Sequence, residues 1–266
     1  MKIIKKKIAI LLTGFVRNWK DTINNLIVNF VSKNDERFEF DLYGVTYNIT
    51  DDYTQDTSYK RHVDLQEINS LTEEYAFKDL EVLNYRKTLN KILWDNQQII
   101  SLIEDYIDVE YKIETILMQC FCIQLAYNKI QHKKYDFVMR SRFDVNHIQS
   151  TIIQEEGIAN NEIGCLSRPS SQNFVDHVVF GTQQNLRIFC NTYSNLQTEN
   201  FITNYKIKFV EDAFLNTLLM NKIKIKILPW ICSVQRRTPC IICEREGTKD
   251  ELFLFDIRKF NLDETS

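Results

Sequence analysis

Two arginines and an aspartate alternate in Arg140-Ser141-Arg142-Phe143-Asp144, directly after the apolar run Phe137-Val138-Met139. In an extended segment side chains at every second position share one face, so the three charges point the same way. Charges at the end of a buried strand are unfavourable unless they are paired or bound to something. Guanidinium groups suit phosphate and carboxylate, and a lone carboxylate suits a hard cation. This pattern therefore predicts the floor of a site for an anionic ligand, with room for a metal ion.

A second polar group follows another apolar run. Ile8 to Leu12 leads into Thr13-Gly14-Phe15-Val16-Arg17-Asn18-Trp19. Gly14 permits a tight turn and close approach of a ligand, Thr13 and Asn18 offer hydrogen bonds, and Arg17 can pair with phosphate. Neither a Walker loop nor a G-x-G-x-x-G fingerprint is present. Further along, Asp176-His177 opens the run D-H-V-V-F-G, and Glu211-Asp212 falls in the first turn of a helical pattern, where carboxylates are favoured.

The elements that must hold these residues follow from periodicity. Ile8 to Leu12 and Tyr135 to Met139 read as buried strands, and Phe38 to Tyr47 as a third. Trp19, Ile23, Leu26, Ile27 and Phe30 form one helical face. Residues 111–132 are the clearest helix, and Asp95 reads as the N-cap of another carrying Ile99, Ile100 and Ile103. Ile163 to Arg168, Asp176 to Gly181 and Ile223 to Leu228 read as strands, with 170–173 as a loop between two of them. Residues 183–196 and 210–220 read as helices, 48–59 as a polar loop, and 63–85 as a mixed stretch. Helices alternating with strands predict an α/β fold, a mostly parallel central sheet flanked by helices with a helical insertion. Ligands in such sheets sit beyond the carboxyl ends of the strands.

Composition narrows the class. With 266 residues, 44% hydrophobic and 26% charged, the chain suits one globular domain, here a core of about 7–230 and a C-terminal extension over 231–266. A net charge of −3 gives no general affinity for nucleic acid, and the basic start (Lys2, Lys5, Lys6, Lys7) reads as a solvated lead-in. No apolar run is long enough to span a bilayer, and Ile8 to Leu12 is too short for a signal-peptide core, so a soluble cytoplasmic protein is expected. Seven cysteines without a secretory signal suggest free thiols. Cys240-x-x-Cys243 with Cys232 is half of a zinc pattern, but the second pair is missing and Ile241-Ile242 reads as core. The acidic cluster Asp51, Asp52 and Asp56 does not fit an EF-hand loop and reads as solvated.

Taken together, T-G-F-V-R-N-W, Y-D-F-V-M-R-S-R-F-D, D-H-V-V-F-G and V-E-D-A-F-L-N-T-L-L in this order resemble small bacterial and viral glycosyltransferases of the nucleotide-diphospho-sugar transferase (GT-A) superfamily. Many of these carry a YD-x-[VI]-x-R-x-R-x-D strand in place of D-x-D. The resemblance spans about residues 7–230. It implies a single Rossmann-type GT-A-like domain that moves a sugar from a nucleotide-diphosphate sugar donor to a glycan or other hydroxyl acceptor. It also implies roles: Thr13, Gly14, Arg17, Arg140 and Arg142 at the donor, Asp144 on Mn²⁺ or Mg²⁺, Glu211 or Asp212 as base, and Asp176 and His177 toward the acceptor or metal. Arg142 stands where D-x-D would offer a second carboxylate, so arginine can stand in for the ion. The competing class is an inactive nucleotide-sugar-binding or scaffold protein on the same frame.

Overall fold

A computed structural model describes residues 4–16, 19–51, 60–63, 65–104, 113–153, 158–168, 171–205, 207, 209–230, 232–234 and 252–253. Arg17, Asn18, Asp52, Asp56, Cys240 and Cys243 lie outside the described residues.

The strands are β1 (Lys6–Thr13), β2 (Phe38–Tyr47), β3 (Ile49–Asp51), β4 (Lys60–His62), β5 (Asp79–Leu83), β6 (Phe137–Arg142), β7 (Val145–His147), β8 (Glu162–Arg168), β9 (Ser171–Thr182), β10 (Lys224–Ile227), β11 (Cys232–Val234) and β12 (Leu252–Phe253). The helices are α1 (Trp19–Leu26), α2 (Leu65–Glu74), α3 (Tyr85–Asp95), α4 (Gln97–Glu104), α5 (Ile113–Asn128), α6 (Gln183–Cys190), α7 (Thr192–Leu196), α8 (Glu199–Asn204) and α9 (Val210–Met220). A π-helical turn, Ile27–Val31, continues α1.

Seven strands form the main sheet in the order β10-β8-β9-β6-β1-β2-β5. All neighbours pair in parallel except β9, which runs antiparallel to β6 and β8. The mixed α/β architecture expected from the sequence is thus the one observed. Alternation along β1 explains the layering. Ala9 and Leu11 face a core built with α5, α6, α7 and α9, whereas Ile8, Ile10 and Leu12 face a second core with α1. Both faces of β1 are buried, as a central strand in a three-layer fold requires. α5 is apolar nearly all round, which marks a helix packed on several sides rather than one with a wet face.

The structure revises several local readings. Asp95 is not an N-cap: it closes α3 and pairs with Lys91 at 2.6 Å. Asn84 instead caps α3, accepting from the Lys87 amide at 2.9 Å. The mixed stretch 63–85 resolves into α2 and the edge strand β5. Part of the polar loop 48–59 belongs to a small β3–β4 pair. The loop at 170–173 gives way to a 12-residue β9 that starts at Ser171, because pairing with β8 overrides the polar composition.

Cys120, Cys122, Cys165, Cys190 and Cys232 are free and buried. Burial pushes the thiol of Cys122 up to about 11 and those of Cys165 and Cys232 up to about 12. They are protonated, poorly nucleophilic core residues at neutral pH.

Candidate functional site

β1 and β6 run parallel at the middle of the sheet, with Leu11 beside Arg140 and Thr13 beside Arg142. Their carboxyl ends therefore bring together the two polar groups that the sequence separates by more than a hundred residues. Gly14 follows β1 with φ of 101°, a backbone geometry that glycine adopts without strain. A Cβ placed there would meet nothing within 4 Å, so open space lies beside this turn.

Arg140 shares the face of Val138, toward α5. Its side chain is buried and held by three hydrogen bonds: Nε donates to Thr13 Oγ1 at 3.0 Å, and Nη1 donates to Asp176 Oδ2 at 2.7 Å and to the Asp176 carbonyl. Gln119 on α5 donates to the same Asp176 oxygen. Burial would raise the Asp176 pKa, but Arg140, His177 and Arg142 outweigh it and hold the carboxyl below its ordinary value. Asp176 and His177 lie where the β8–β9 register slips, between the Cys165–Val179 and Leu166–Val175 pairs. Such irregularities re-aim side chains, and here they deliver Asp176 to Arg140.

Arg142 is the last residue of β6, and Asp144 sits in the turn beyond it. The two form a bidentate pair, Nε to Oδ1 at 2.8 Å and Nη2 to Oδ2 at 2.7 Å. The Asp144 side chain is 3% exposed and the Arg142 side chain 25% exposed, so Arg142 is the more exposed member of the pair. Burial would lower the Arg142 pKa, but Asp144, with Asp176 and Glu211, outweighs it and holds the guanidinium above its ordinary value. His177 is 8% exposed; burial, helped by Arg142, lowers it to about 4, so it is neutral at pH 7.

Thus Thr13, Gly14, Arg140, Arg142, Asp144, Asp176 and His177 converge at one sheet edge, and Glu211 lies within electrostatic range of Arg142. Asp212 is turned to a helix-capping task, accepting from the Phe209 amide at 2.9 Å. Arg17 lies outside the described residues. No group of three His, Cys, Asp or Glu side chains that could hold a metal ion occurs among the described residues, and both Asp144 oxygens are taken by Arg142.

Gln119 is one of several polar residues on α5, and its link to Asp176 could not be read from spacing. The same holds for a row of polar residues on the first helix and its extension. Thr22 donates to the Phe143 carbonyl at 2.5 Å, Asn25 to Asn146 Oδ1 at 2.7 Å, and Asn29 to the His147 carbonyl at 2.6 Å. Asn34 completes it, donating to the Thr151 carbonyl at 2.8 Å and accepting from the Ile153 amide at 2.9 Å. These ties position the whole 143–153 segment, including the turn that carries Asp144.

No protein-family model and no curated protein sequence matches this chain. Among solved structures, the chain is similar to mouse xyloside xylosyltransferase 1 in its apo form, at 10% sequence identity and a TM-score of 0.44 over 85% of each chain.

Proposed function

We propose that the chain transfers a sugar from a nucleotide-diphosphate sugar to a hydroxyl acceptor. The observation that carries this reading is the cluster at the carboxyl ends of β1 and β6, with Arg142 partly exposed beside the open turn at Gly14. Breaking a sugar–phosphate bond leaves negative charge on the departing diphosphate, and fixed cations at that place stabilise it. Arg142 is the group that meets the diphosphate. Arg140, buried against Asp176 and Thr13, is a positioning residue that holds the strand end rigid. Asp144 orients Arg142 through the bidentate pair. Glu211, within range of Arg142, is the base that takes the acceptor proton. Neutral His177 serves as a hydrogen-bonding group to a sugar.

The test is thermal stabilisation by a panel of nucleotide sugars, with and without Mn²⁺. A donor at a hundred times its Kd raises stability by about 2.7 kcal/mol. Replacing Arg142 by Met removes a charge-assisted contact worth about 1.5–3 kcal/mol, so donor affinity falls roughly 10- to 100-fold. If no nucleotide sugar stabilises the protein, or Arg142→Met and Asp144→Ala bind as wild type does, the assignment is wrong.

A second reading has its own support. Asp144 and Asp176 are both committed to arginines, as in a binding or scaffold protein that has no catalytic carboxylate to spare. Donor that binds without hydrolysis or transfer favours it.

A further inference from the structure

A shallow cavity of about 560 Å³, broadly open to solvent, lies between α3, α4 and the start of α5. Its wall holds an aromatic plate: Trp94 on α3 is 74% exposed. A side chain of that area is rarely left in water when a core position would bury it. Around it stand Asn90 one turn earlier on the same helix, Gln97 and Ser101 one turn apart on α4, and Glu114 on α5.

This chemistry is selective. Two amides and a hydroxyl offer both donors and acceptors, and Glu114 adds an acceptor. Among the described residues the lining includes no lysine or arginine, so a phosphate or a nucleotide finds no counter-charge among them and meets a carboxylate instead. A pyranose is what such a wall fits: its axial C–H face is apolar enough to lie on an indole, and its rim of hydroxyls needs donors and acceptors in equal measure.

We propose that the Trp94 cavity binds one pyranose unit of a neutral glycan. As an acceptor subsite it rests on the transfer reading above; as a saccharide site it stands alone. Saturation-transfer NMR on the full chain, with maltohexaose, cellohexaose, chitohexaose and mannohexaose as separate probes and no donor present, decides it. At least one probe shows transfer to its ring protons, and Trp94→Ala weakens that binding about tenfold or more. Gln97→Ala weakens it as well. Because Trp94 is exposed, Trp94→Ala keeps the wild-type melting temperature, which is measured alongside. The proposal is overturned if none of the four probes binds wild type at millimolar concentration, or if both variants bind as wild type does. It is equally overturned if Trp94→Ala only converts a dimer to a monomer in light scattering, since the cavity is then a self-association surface.

The two readings fail separately. Wild type that binds UDP-glucose or GDP-mannose but no hexasaccharide removes the cavity assignment alone. Wild type that binds a hexasaccharide through Trp94 but no nucleotide sugar removes the transfer reading and leaves saccharide recognition intact.

Discussion

Replacing Asp176 by Ala strands a guanidinium inside the protein. Arg140 has a side-chain exposure of 1% and Asp176 one of 2%, and the pair meets at 2.7 Å. With the carboxylate gone, Arg140 keeps only Thr13 and a backbone carbonyl, and Gln119 loses its acceptor. Removing one partner of a buried pair costs about 3–5 kcal/mol, because the remaining charge cannot reach water. For 266 residues the unfolding entropy is about 560 cal/mol/K, so the melting temperature falls by roughly 5–9 °C. The double variant Arg140→Met with Asp176→Ala has no charge left to strand and recovers most of that loss. Urea unfolding, with the slope checked for constancy, reads the three proteins side by side. A loss below about 1 kcal/mol in the single variant, or a double variant no more stable than the single, refutes the reasoning: the pair would then be hydrated or readily replaced.

Acid unfolding should have an unusual histidine component. His147 and His177 both have folded values lowered to about 4, chiefly by burial. The unfolded chain takes up protons near pH 6.5 while the folded chain refuses them until about pH 4, so stability is full above pH 6.5 and declines across that window. Each histidine contributes up to about 3 kcal/mol to the decline, and His147→Gln flattens the urea midpoint plotted against pH; an unchanged slope counts against it. In a separate place, Gly44→Ala should destabilise by about 1–3 kcal/mol, because the new methyl sits 2.5 Å from Leu80 Cδ1 and 3.1 Å from both Phe143 and Phe77. Phe143 precedes Asp144, so the same change should also weaken nucleotide-sugar binding measured by calorimetry; wild-type stability in this variant would show that the contact relaxes freely.

Much of the frame was legible because its signals are local. Ile8 to Leu12 and Phe137 to Met139 are apolar runs that only a buried sheet accommodates, and the helix over residues 111–132 has an unbroken apolar period. The site was legible where charge alternates at a strand end, as at Arg140 and Arg142. What escaped is non-local. Pairing decides β9, whose first residues look like loop, and only the slipped register explains why Asp176 meets Arg140. The Asp144 carboxylate could be read as a free ligand from sequence; its capture by Arg142 depends on the turn after β6, a backbone path with no sequence signature of its own. Asp95 was misread because an acidic residue before an apolar run resembles a cap, while the true boundary falls at Asn96 between two helices.

The polar ladder of Thr22, Asn25, Asn29 and Asn34 makes the first helix a ruler for the loop behind the central strand. Its rungs sit on one side only at one helical phase. Adding or losing a single residue between Thr22 and Asn29 turns every later rung by about 100°, so several carbonyls lose their donors at once. Drift in chain length is therefore barred from this helix, and descendants of this sequence must vary in length somewhere else.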